Sequence, residues 1–252
     1  MKGDAVVSTT SRSGGPATPG DELSFDRYPD QCIRTLYGHA DAIDAIALDM
    51  PFGTLVSASR DATLRVWDLS SQTCRALLRN LGQNKAGFTA TELSPSAPQI
   101  LFSGDAKGQI LQWDLARLAD PLLTSAGSIC TRMFPSDAHT GAITCLMADA
   151  ETLVSGSDDG TVRVWDAESG KCLLCHRVLT GHLDGVTQVR FAGNHVVTAS
   201  KDHTLKVWDL RLASGGLASG FSGHTKPVSR VKWVGERLVS CGLDQTVKVW
   251  RV

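Results

Sequence analysis

The sequence predicts an all-β fold in which a unit of four short antiparallel strands occurs five times. Tryptophan marks the period of the repeat, because it recurs every 42 to 52 residues, at Trp67, Trp113, Trp165, Trp208 and Trp250. Between these tryptophans lie short runs of alternating apolar and polar residues, rich in β-branched side chains and separated by turn residues. This is the pattern of strands and hairpins, and a period of about 40 residues is typical of repeat architectures.

The fourth repeat illustrates the unit. Residues 185–191, 195–199 and 204–208 are predicted to form three strands, and polar turns at 192–194 and 201–203 separate them. An outer strand before the next repeat brings the number to four. Four strands of about five residues are typical of one blade of a β-propeller.

The composition excludes several classes of partner. The chain of 252 residues carries 25 Lys and Arg against 26 Asp and Glu, a formal charge of −1. This balance gives no general attraction to nucleic acid or to an anionic membrane. No apolar run approaches the roughly 20 residues of a membrane span. We therefore expect neither nucleic-acid binding nor membrane insertion, while peripheral recruitment to a membrane stays open.

The first 30 residues differ from the repeat region. Residues 8–20 are mostly Ser, Thr, Gly and Pro, and such a segment buries too little apolar surface to offset its ordering entropy. We predict a disordered N-terminal tail over residues 1–30 and a repeat domain over residues 31–252. The start of the chain lacks the pattern of a secretory signal. The seven scattered cysteines are explained by reduced thiols, so we expect a cytoplasmic protein.

Polar residues recur at fixed distances before the repeating tryptophan. A histidine precedes it by 26 or 28 residues in four repeats: His39, His139, His182 and His224. An aspartate precedes it by six residues in the same four: Asp61, Asp159, Asp202 and Asp244. A serine precedes it by eight residues in three: Ser59, Ser157 and Ser200. Such regular spacing indicates one structural unit copied along the chain.

This series resembles the WD-repeat (WD40) family over residues 31–252. Four of the repeating tryptophans are followed by an aspartate: Asp68, Asp114, Asp166 and Asp209. The resemblance implies a β-propeller of four-stranded antiparallel blades, in which His, Ser, Asp and Trp form a hydrogen-bonded tetrad. The physical reason is that the buried N–H groups of His and Trp need acceptors. In the implied tetrad the aspartate accepts from the histidine, and the serine bridges toward the indole.

Two repeats depart from this pattern. The fifth has Gly242 at the serine position, so its tetrad is predicted to be incomplete. The second has Asp105 at the serine position, Lys107 at the aspartate position and no matching histidine. We expect the second unit to keep its sheet and to lack the tetrad.

His, Ser and Asp are also the residue types of a catalytic triad. Here the trio recurs in at least three copies, whereas an active site occurs once, so we predict a non-catalytic protein. The competing class, an enzyme that uses the propeller channel, needs a unique cluster of titratable groups that the sequence does not contain. Cys172, Cys175 and His176 match the c-type haem attachment pattern, but the two cysteines of a strand with this spacing point to opposite faces. We predict no cofactor and no metal.

Closure of the ring is the open question of the fold. Only Arg251 and Val252 follow the last repeating tryptophan, so the resemblance implies that the last blade lacks its fourth strand. Residues 32–37 match the outer strands of other repeats, and this N-terminal strand is predicted to close the last blade and to remove exposed edges. Three interpretations remain: a true five-bladed ring, an open or strained ring, or a shortened relative of a seven-bladed protein.

The resemblance also implies where partners bind. In the family they dock on the rim that holds the His loops and the Asp turns. On this chain that rim contains Arg60, Asp158, Lys201, Leu243, Asp41, Asp184 and Lys226. Both signs of charge together with an apolar residue suit a protein or peptide, and a nucleic-acid backbone would require a basic stripe. The alternative for any one of these residues is a solvated turn position without a partner.

The leading hypothesis is therefore a protein–protein interaction scaffold or adaptor without a small-molecule substrate. A narrower resemblance concerns residues 49–57 and 65–68, which are similar to fungal adaptors of mitochondrial division. It implies, as an alternative, a shortened relative of such an adaptor that lies peripherally on the mitochondrial outer membrane. Substrate-receptor subunits of ubiquitin ligases carry similar repeats and are the other alternative.

Overall fold

The computed structural model describes residues 32, 34–81, 85–120, 129–135, 139–167, 179–212 and 216–252. The chain divides into two compact units, Met1–Leu36 and Tyr37–Val252. In the first unit, residues 32 and 34–36 are described, and they form neither strand nor helix. The tail predicted over residues 1–30 lies outside the described residues.

The second unit begins with two four-stranded sheets. The first sheet consists of β1 (Ile43–Asp49), β2 (Thr54–Ser59), β3 (Thr63–Asp68) and β4 (Thr73–Arg79). The second sheet consists of β5 (Phe88–Leu93), β6 (Ile100–Asp105), β7 (Ile110–Asp114) and β8 (Cys130–Met133). A short 3-10 helix, Leu115–Ala119, follows β7, and the Asp114 side chain caps its N-terminus.

Three further sheets follow in chain order. The third consists of β9 (Ile143–Ala148), β10 (Thr152–Ser157) and β11 (Val162–Asp166). The fourth consists of β12 (Val186–Ala192), β13 (His195–Ser200), β14 (Thr204–Asp209) and β15 (Gly216–Ser222). The fifth consists of β16 (Val228–Val234), β17 (Arg237–Gly242) and β18 (Val247–Arg251). Every paired neighbour is antiparallel, as hairpin connections require.

The core lies between successive sheets, and each of the three middle sheets contributes two different faces to it. Side chains alternate along a strand, so Val196 and Val197 of β13 point to opposite faces. Both are buried, because one packs in the cluster shared with the third sheet and the other in the cluster shared with the fifth. Coverage on both faces explains why the second strand of each of these middle sheets is largely apolar rather than alternating.

The all-β class is confirmed, and three of the five sheets have the predicted four antiparallel strands among the described residues. Packing contacts join each sheet to the next, from the first to the fifth, and no comparable set joins the fifth to the first among the described residues. In the third sheet Leu179 forms a single bridge with Val162 of β11. The segment that would precede this bridge, residues 168–178, lies outside the described residues.

The predicted closing strand is not found, and this part of the prediction is corrected. Within residues 32–37 the described positions, 32 and 34–37, have no strand conformation. The fifth sheet has three strands in the part of the chain that the structure describes. A β-branched sequence does not form a strand by itself, because the backbone N–H and C=O groups of a strand need a partner edge.

Candidate functional site

One edge of the sheets is built from the same local structure in successive repeats. In the third sheet the turn after β10 contains Asp159, whose carboxylate accepts hydrogen bonds from the backbone N–H and the hydroxyl of Thr161, at 2.8 and 2.6 Å. Gly160 lies between them with a left-handed φ of 79°, a conformation that glycine adopts without steric cost. The other carboxylate oxygen reaches the loop before β9, where it accepts from the Thr140 N–H at 3.0 Å.

The histidine of this loop connects the turn to the tryptophan. His139 Nδ1 lies 3.1 Å from Asp159 Oδ2, and His139 Nε2 lies 2.8 Å from Ser155 Oγ. Trp165 Nε1 donates to the same Ser155 hydroxyl at 2.8 Å. Because a carboxylate can only accept, the proton of His139 is on Nδ1, and Nε2 accepts from the hydroxyl.

The same four-residue network occurs in three other sheets. It consists of His39, Asp61, Ser57 and Trp67; His182, Asp202, Thr198 and Trp208; and His224, Asp244, Ser240 and Trp250. Every distance in these copies is between 2.7 and 3.0 Å. The repeated His, Asp and Trp therefore bind one another inside each sheet.

A backbone hydrogen bond fixes the turn against the loop in each case. The residue before the turn aspartate donates to a carbonyl of the loop that precedes the first strand: Arg60 to Ala42, Asp158 to Ala142, Lys201 to Gly185 and Leu243 to Pro227, at 2.8 to 3.0 Å. We call this edge, made of the turns after the second strands and the loops before the first strands, the rim. All seven residues predicted for the partner surface belong to it.

The rim residues make few contacts with one another. Lys201 Nζ lies 2.7 Å from Asp158 Oδ1, an ion pair between the fourth and third sheets. Arg60 pairs instead with Asp44 of β1 at 2.7 Å. Leu243, Lys226 and the two remaining aspartates, Asp41 and Asp184, are exposed.

A model of the family described as "WD domain, G-beta repeat" matches residues 30–68, 128–166, 173–209 and 215–251. The chain belongs to the WD40 repeat family. We refer to each of the five sheets with its loops as a blade. The four segments that the family model matches each contain the histidine and aspartate of one such network. Strands β5 to β7 of the second blade, which has no counterpart of the histidine, lie between the first two matched segments.

Curated relatives of this WD40 chain are named Mitochondrial division protein 1. The protein from Aspergillus terreus is 32% identical over 215 residues, which cover 74% of this chain and 32% of the relative. The protein from Kluyveromyces lactis is 29% identical over 195 residues, which cover 69% of this chain and 27% of the relative. The chain thus spans between a quarter and a third of the length of these relatives.

The hydroxyl of the WD40 tetrad is not the one that the sequence analysis selected. The residue between His and Trp is ten positions before the tryptophan, whereas Ser59, Ser157 and Ser200 stand eight positions before it. These three are the last residues of their strands, so their hydroxyls meet backbone groups of the rim. Each accepts from the N–H of the turn aspartate and donates to a loop carbonyl, that of Asp41, Gly141 or Asp184.

Two blades therefore have a network that differs from the one predicted. The fifth blade has a complete tetrad through Ser240, and Gly242 does not interrupt it. In the second blade Trp113 donates to Ser103 at 2.8 Å, while Asn80 donates to Asp105 at 2.9 Å. All five repeats have a serine or threonine ten residues before the repeating tryptophan, and this regularity in the sequence indicates the hydroxyl that binds the indole.

Leu183 is a rim residue that the sequence analysis missed. It follows His182, its backbone N–H donates to Asp202, and its side chain is 94% exposed. Together with Leu243 of the fifth blade it places a second large apolar side chain on the rim. The signal was its position directly after a loop histidine, where the other blades have Ala40, Thr140 and Thr225.

In the fourth blade the electrostatics of the network keep Asp202 ionised and His182 neutral. Burial raises the pKa of Asp202, but hydrogen bonds from Thr204, His182 and the Leu183 N–H outweigh burial and lower this pKa to about 2. Burial lowers the pKa of His182 below its ordinary value, against the opposing effect of Asp202. The pair at neutral pH is therefore a carboxylate that accepts from a neutral imidazole.

Among the described residues, no three His, Cys, Asp or Glu side chains gather as a metal site. The haem-like pattern, Cys172 to His176, lies outside the described residues. Five cysteines are described, and each is a free thiol. No helix in the described part of the chain is long and apolar enough to span a membrane.

Glu92 is a titratable group outside the repeated network, on β5, the first strand of the second sheet. Burial raises its pKa from 4.5 to about 7, and Arg190 opposes this shift only in part. The folded chain therefore holds a proton that the unfolded chain releases between pH 4.5 and about 7, so we expect stability to fall as the pH rises through this window.

The variant Glu92→Gln tests this pH dependence. Above pH 7 the ionised Glu92 carboxylate lowers the free energy of unfolding by at most about 3 kcal/mol, and the variant removes this loss. Water that reaches the half-buried carboxyl makes the effect smaller. We expect the melting temperature of the variant to exceed that of the wild type at pH 8 and to converge with it near pH 4.5. Glu151→Gln, in an exposed turn, is the matched control. An unchanged difference between Glu92→Gln and wild type across this range would contradict the assignment.

Proposed function

We propose that this WD40 chain is a non-catalytic scaffold that holds a protein or peptide partner on its rim. One observation carries the proposal. Within these rim turns, the recurring aspartate accepts hydrogen bonds from its own blade. The residue before it faces solvent and differs from blade to blade. These outward positions are Arg60, Asp158, Lys201 and Leu243, in the four blades that carry the turn aspartate. The recurring aspartate stabilises its own blade, and the variable residues before it form a surface that can distinguish partners.

The chemistry of the rim favours a polypeptide partner. Charges of both signs alternate around it, and two exposed leucines, Leu183 and Leu243, add apolar contact. Such a mixture matches the polar rim and apolar centre of ordinary protein interfaces. A nucleic-acid backbone or an anionic membrane would instead favour a continuous basic surface.

Charge reversal at Lys201 tests the rim. We expect Lys201→Glu to weaken capture of a partner, identified by affinity purification of the full chain and mass spectrometry, by about fivefold, because one interfacial charge contributes about 1 kcal/mol. The matched control is Arg211→Glu, at the opposite edge of the same blade, where Arg211 forms an ion pair with Asp209 at the same distance of 2.7 Å. Equal loss from both variants, or loss from neither, would contradict the proposal.

The curated relatives favour one setting for this scaffold. Their name motivates the proposal that the chain acts in mitochondrial division and associates peripherally with the mitochondrial outer membrane. The shared region is the WD40 part alone, so the proposal concerns partner capture by that part. A fluorescently tagged full chain is expected to mark mitochondria and to lose this location in the Lys201→Glu variant. A uniform cytosolic signal would favour a scaffold of another pathway.

A further inference from the structure

A groove lies between the first two blades, at the edge opposite the rim. It consists of two adjoining cavities of about 380 and 500 Å³, which share Asp49, Phe52 and Pro98. Phe52 belongs to the turn between β1 and β2, and Pro98 to the loop between β5 and β6. The two blades that form these walls pack on each other through a shared apolar cluster. We call the two cavities together the edge groove.

The lining of the edge groove is mostly apolar. Val66 and Leu115 are buried beneath the smaller cavity, and Pro98 and Leu118 form partly exposed walls. Phe52 lines both cavities, and its side chain is 74% exposed. A cavity of a few hundred Å³ with apolar walls and a few polar groups is typical of a ligand site. The edge groove can therefore bury an apolar side chain of a partner.

Two side chains of opposite charge line the smaller cavity and do not pair with each other. Asp49, the last residue of β1, is half-buried and has no hydrogen bond or ion pair among the described residues. Asp149, at the matching place in the third blade, instead accepts from the Ala150 N–H at 2.7 Å. Arg75 of β4 is exposed and acts electrostatically on Asp68, but it forms no ion pair in the part of the chain that the structure describes. The groove thus offers one carboxylate and one guanidinium to a ligand.

The first sheet sets the distance between these two charges. Asp49 lies on the first strand of the sheet, and Arg75 lies on the fourth. Three spacings of about 4.8 Å between neighbouring strands separate the two backbones by about 14 Å across the sheet. An extended peptide advances about 3.3 Å per residue, so side chains about four positions apart span this distance. A short extended peptide is therefore long enough to reach both charges.

We propose that the edge groove binds a short extended segment of a partner protein that carries an apolar residue between a basic and an acidic residue. The apolar side chain packs on Phe52 and Pro98. The basic residue pairs with Asp49, and Glu92, which lines the second cavity, adds a further carboxyl group at this end. The acidic residue, about four positions away, pairs with Arg75. This site lies at the edge opposite the proposed rim, so it goes beyond the proposed function and does not depend on it.

Binding of synthetic peptides to the full chain tests the edge groove. The probes are amidated pentapeptides with fluorescein on the N-terminus, lysine at one end, glutamate at the other, and leucine, proline or phenylalanine between them, in both orders. Fluorescence anisotropy gives the dissociation constant of each probe. We expect a subset of the probes to bind the wild type, and Phe52→Ser to raise the dissociation constant by about tenfold because the apolar contact is lost.

Two neutral variants test the charges separately. We expect Asp49→Asn and Arg75→Gln each to raise the dissociation constant by about fivefold. When glutamine replaces the lysine of the probe, Asp49→Asn should have no further effect, while Arg75→Gln should keep its effect. This is the result that a double-mutant cycle gives for a direct pair. The matched controls are Asp149→Asn in the third blade and Arg79→Gln at the other end of β4, and both should bind the probes as the wild type does.

The side chains substituted in the groove and in the controls are at least partly exposed, so the melting temperatures are expected to match that of the wild type. Failure of every probe to bind the wild type, or equal losses from the groove variants and their controls, would overturn the proposal. Binding that requires Phe52 but neither charge would assign an apolar ligand to the groove and would also overturn it. Lys201→Glu should leave probe binding unchanged, which distinguishes failure of the edge groove from failure of the rim.

Discussion

Asp159→Ala is expected to destabilise the chain by about 2–4 kcal/mol, because it removes a charged acceptor from four donors at once. These donors are His139 Nδ1, the Thr140 N–H, and the N–H and hydroxyl of Thr161. The imidazole of His139 is fully buried, so water does not replace the lost partner. For a chain of this size the melting temperature should fall by about 5–15 °C.

The adjacent Asp158 is the matched control for Asp159. It carries the same side chain one position earlier, but it is exposed and pairs only with Lys201 at the surface. An exposed ion pair contributes between about 0 and 1 kcal/mol, so Asp158→Ala should leave the melting temperature nearly unchanged. If both variants lowered the melting temperature equally, the division of the turn into one blade residue and one rim residue would be wrong.

Ser155→Ala is expected to cost a similar amount, about 2–4 kcal/mol, because two buried nitrogens lose one shared hydroxyl. Trp165 Nε1 no longer has its acceptor, and His139 Nε2 no longer has its donor. Leaving a buried polar group unpaired costs about 1–3 kcal/mol for each group. Chemical unfolding of the variant, followed by tryptophan fluorescence, measures the loss.

Ser157→Ala separates the observed tetrad from the one implied by the sequence. Ser157 stands two residues later on the same strand, but its hydroxyl meets the Gly141 carbonyl and the Asp159 N–H at the rim. We expect this variant to cost about 1 kcal/mol, because water reaches these rim groups more easily than the tetrad. A larger loss from Ser157→Ala than from Ser155→Ala would support the serine of the sequence analysis and contradict the structure.

The repeated part of the fold was predictable because it follows from local patterns. The tryptophan period and the short alternating runs gave the blades, and the spacing of His139 and Asp159 from Trp165 indicated a shared polar cluster. Each of these signals is a periodicity that one sequence contains. The prediction that Ser157 binds the indole was wrong. Ser155 and Ser157 lie on the same face of β10, and spacing alone does not tell which of them reaches Trp165.

The remaining features depend on contacts between distant parts of the chain. Nothing local indicates that Asn80 donates to Asp105 in the second blade, since the two side chains meet only when the blade folds. Ile46 in the first sheet and Val249 in the fifth are exposed, although their faces have the same apolar pattern as the buried faces at Leu146 and Val207. Whether such a face is covered is decided by the number of blades, and neither composition nor spacing determines ring closure.

The division between blade residues and rim residues also guides the search for partners. Substitutions at His139, Asp159 or Ser155 alter binding through loss of the fold, and they do not locate a partner. Substitutions at Asp158, Lys201 or Leu243 leave the tetrads intact. Binding defects at the rim therefore report on the partner surface, provided that the melting temperature is unchanged.

Hydrogen–deuterium exchange of the full chain, alone and with a captured partner, tests the proposed rim most directly. We expect added protection in the loops before the first strands and in the turns at Arg60, Asp158 and Lys201, with the opposite edge at Asp209–Leu212 unchanged. Protection confined to that opposite edge, or bound partner without any protection at the rim, would contradict the claim that this WD40 chain captures proteins on its rim.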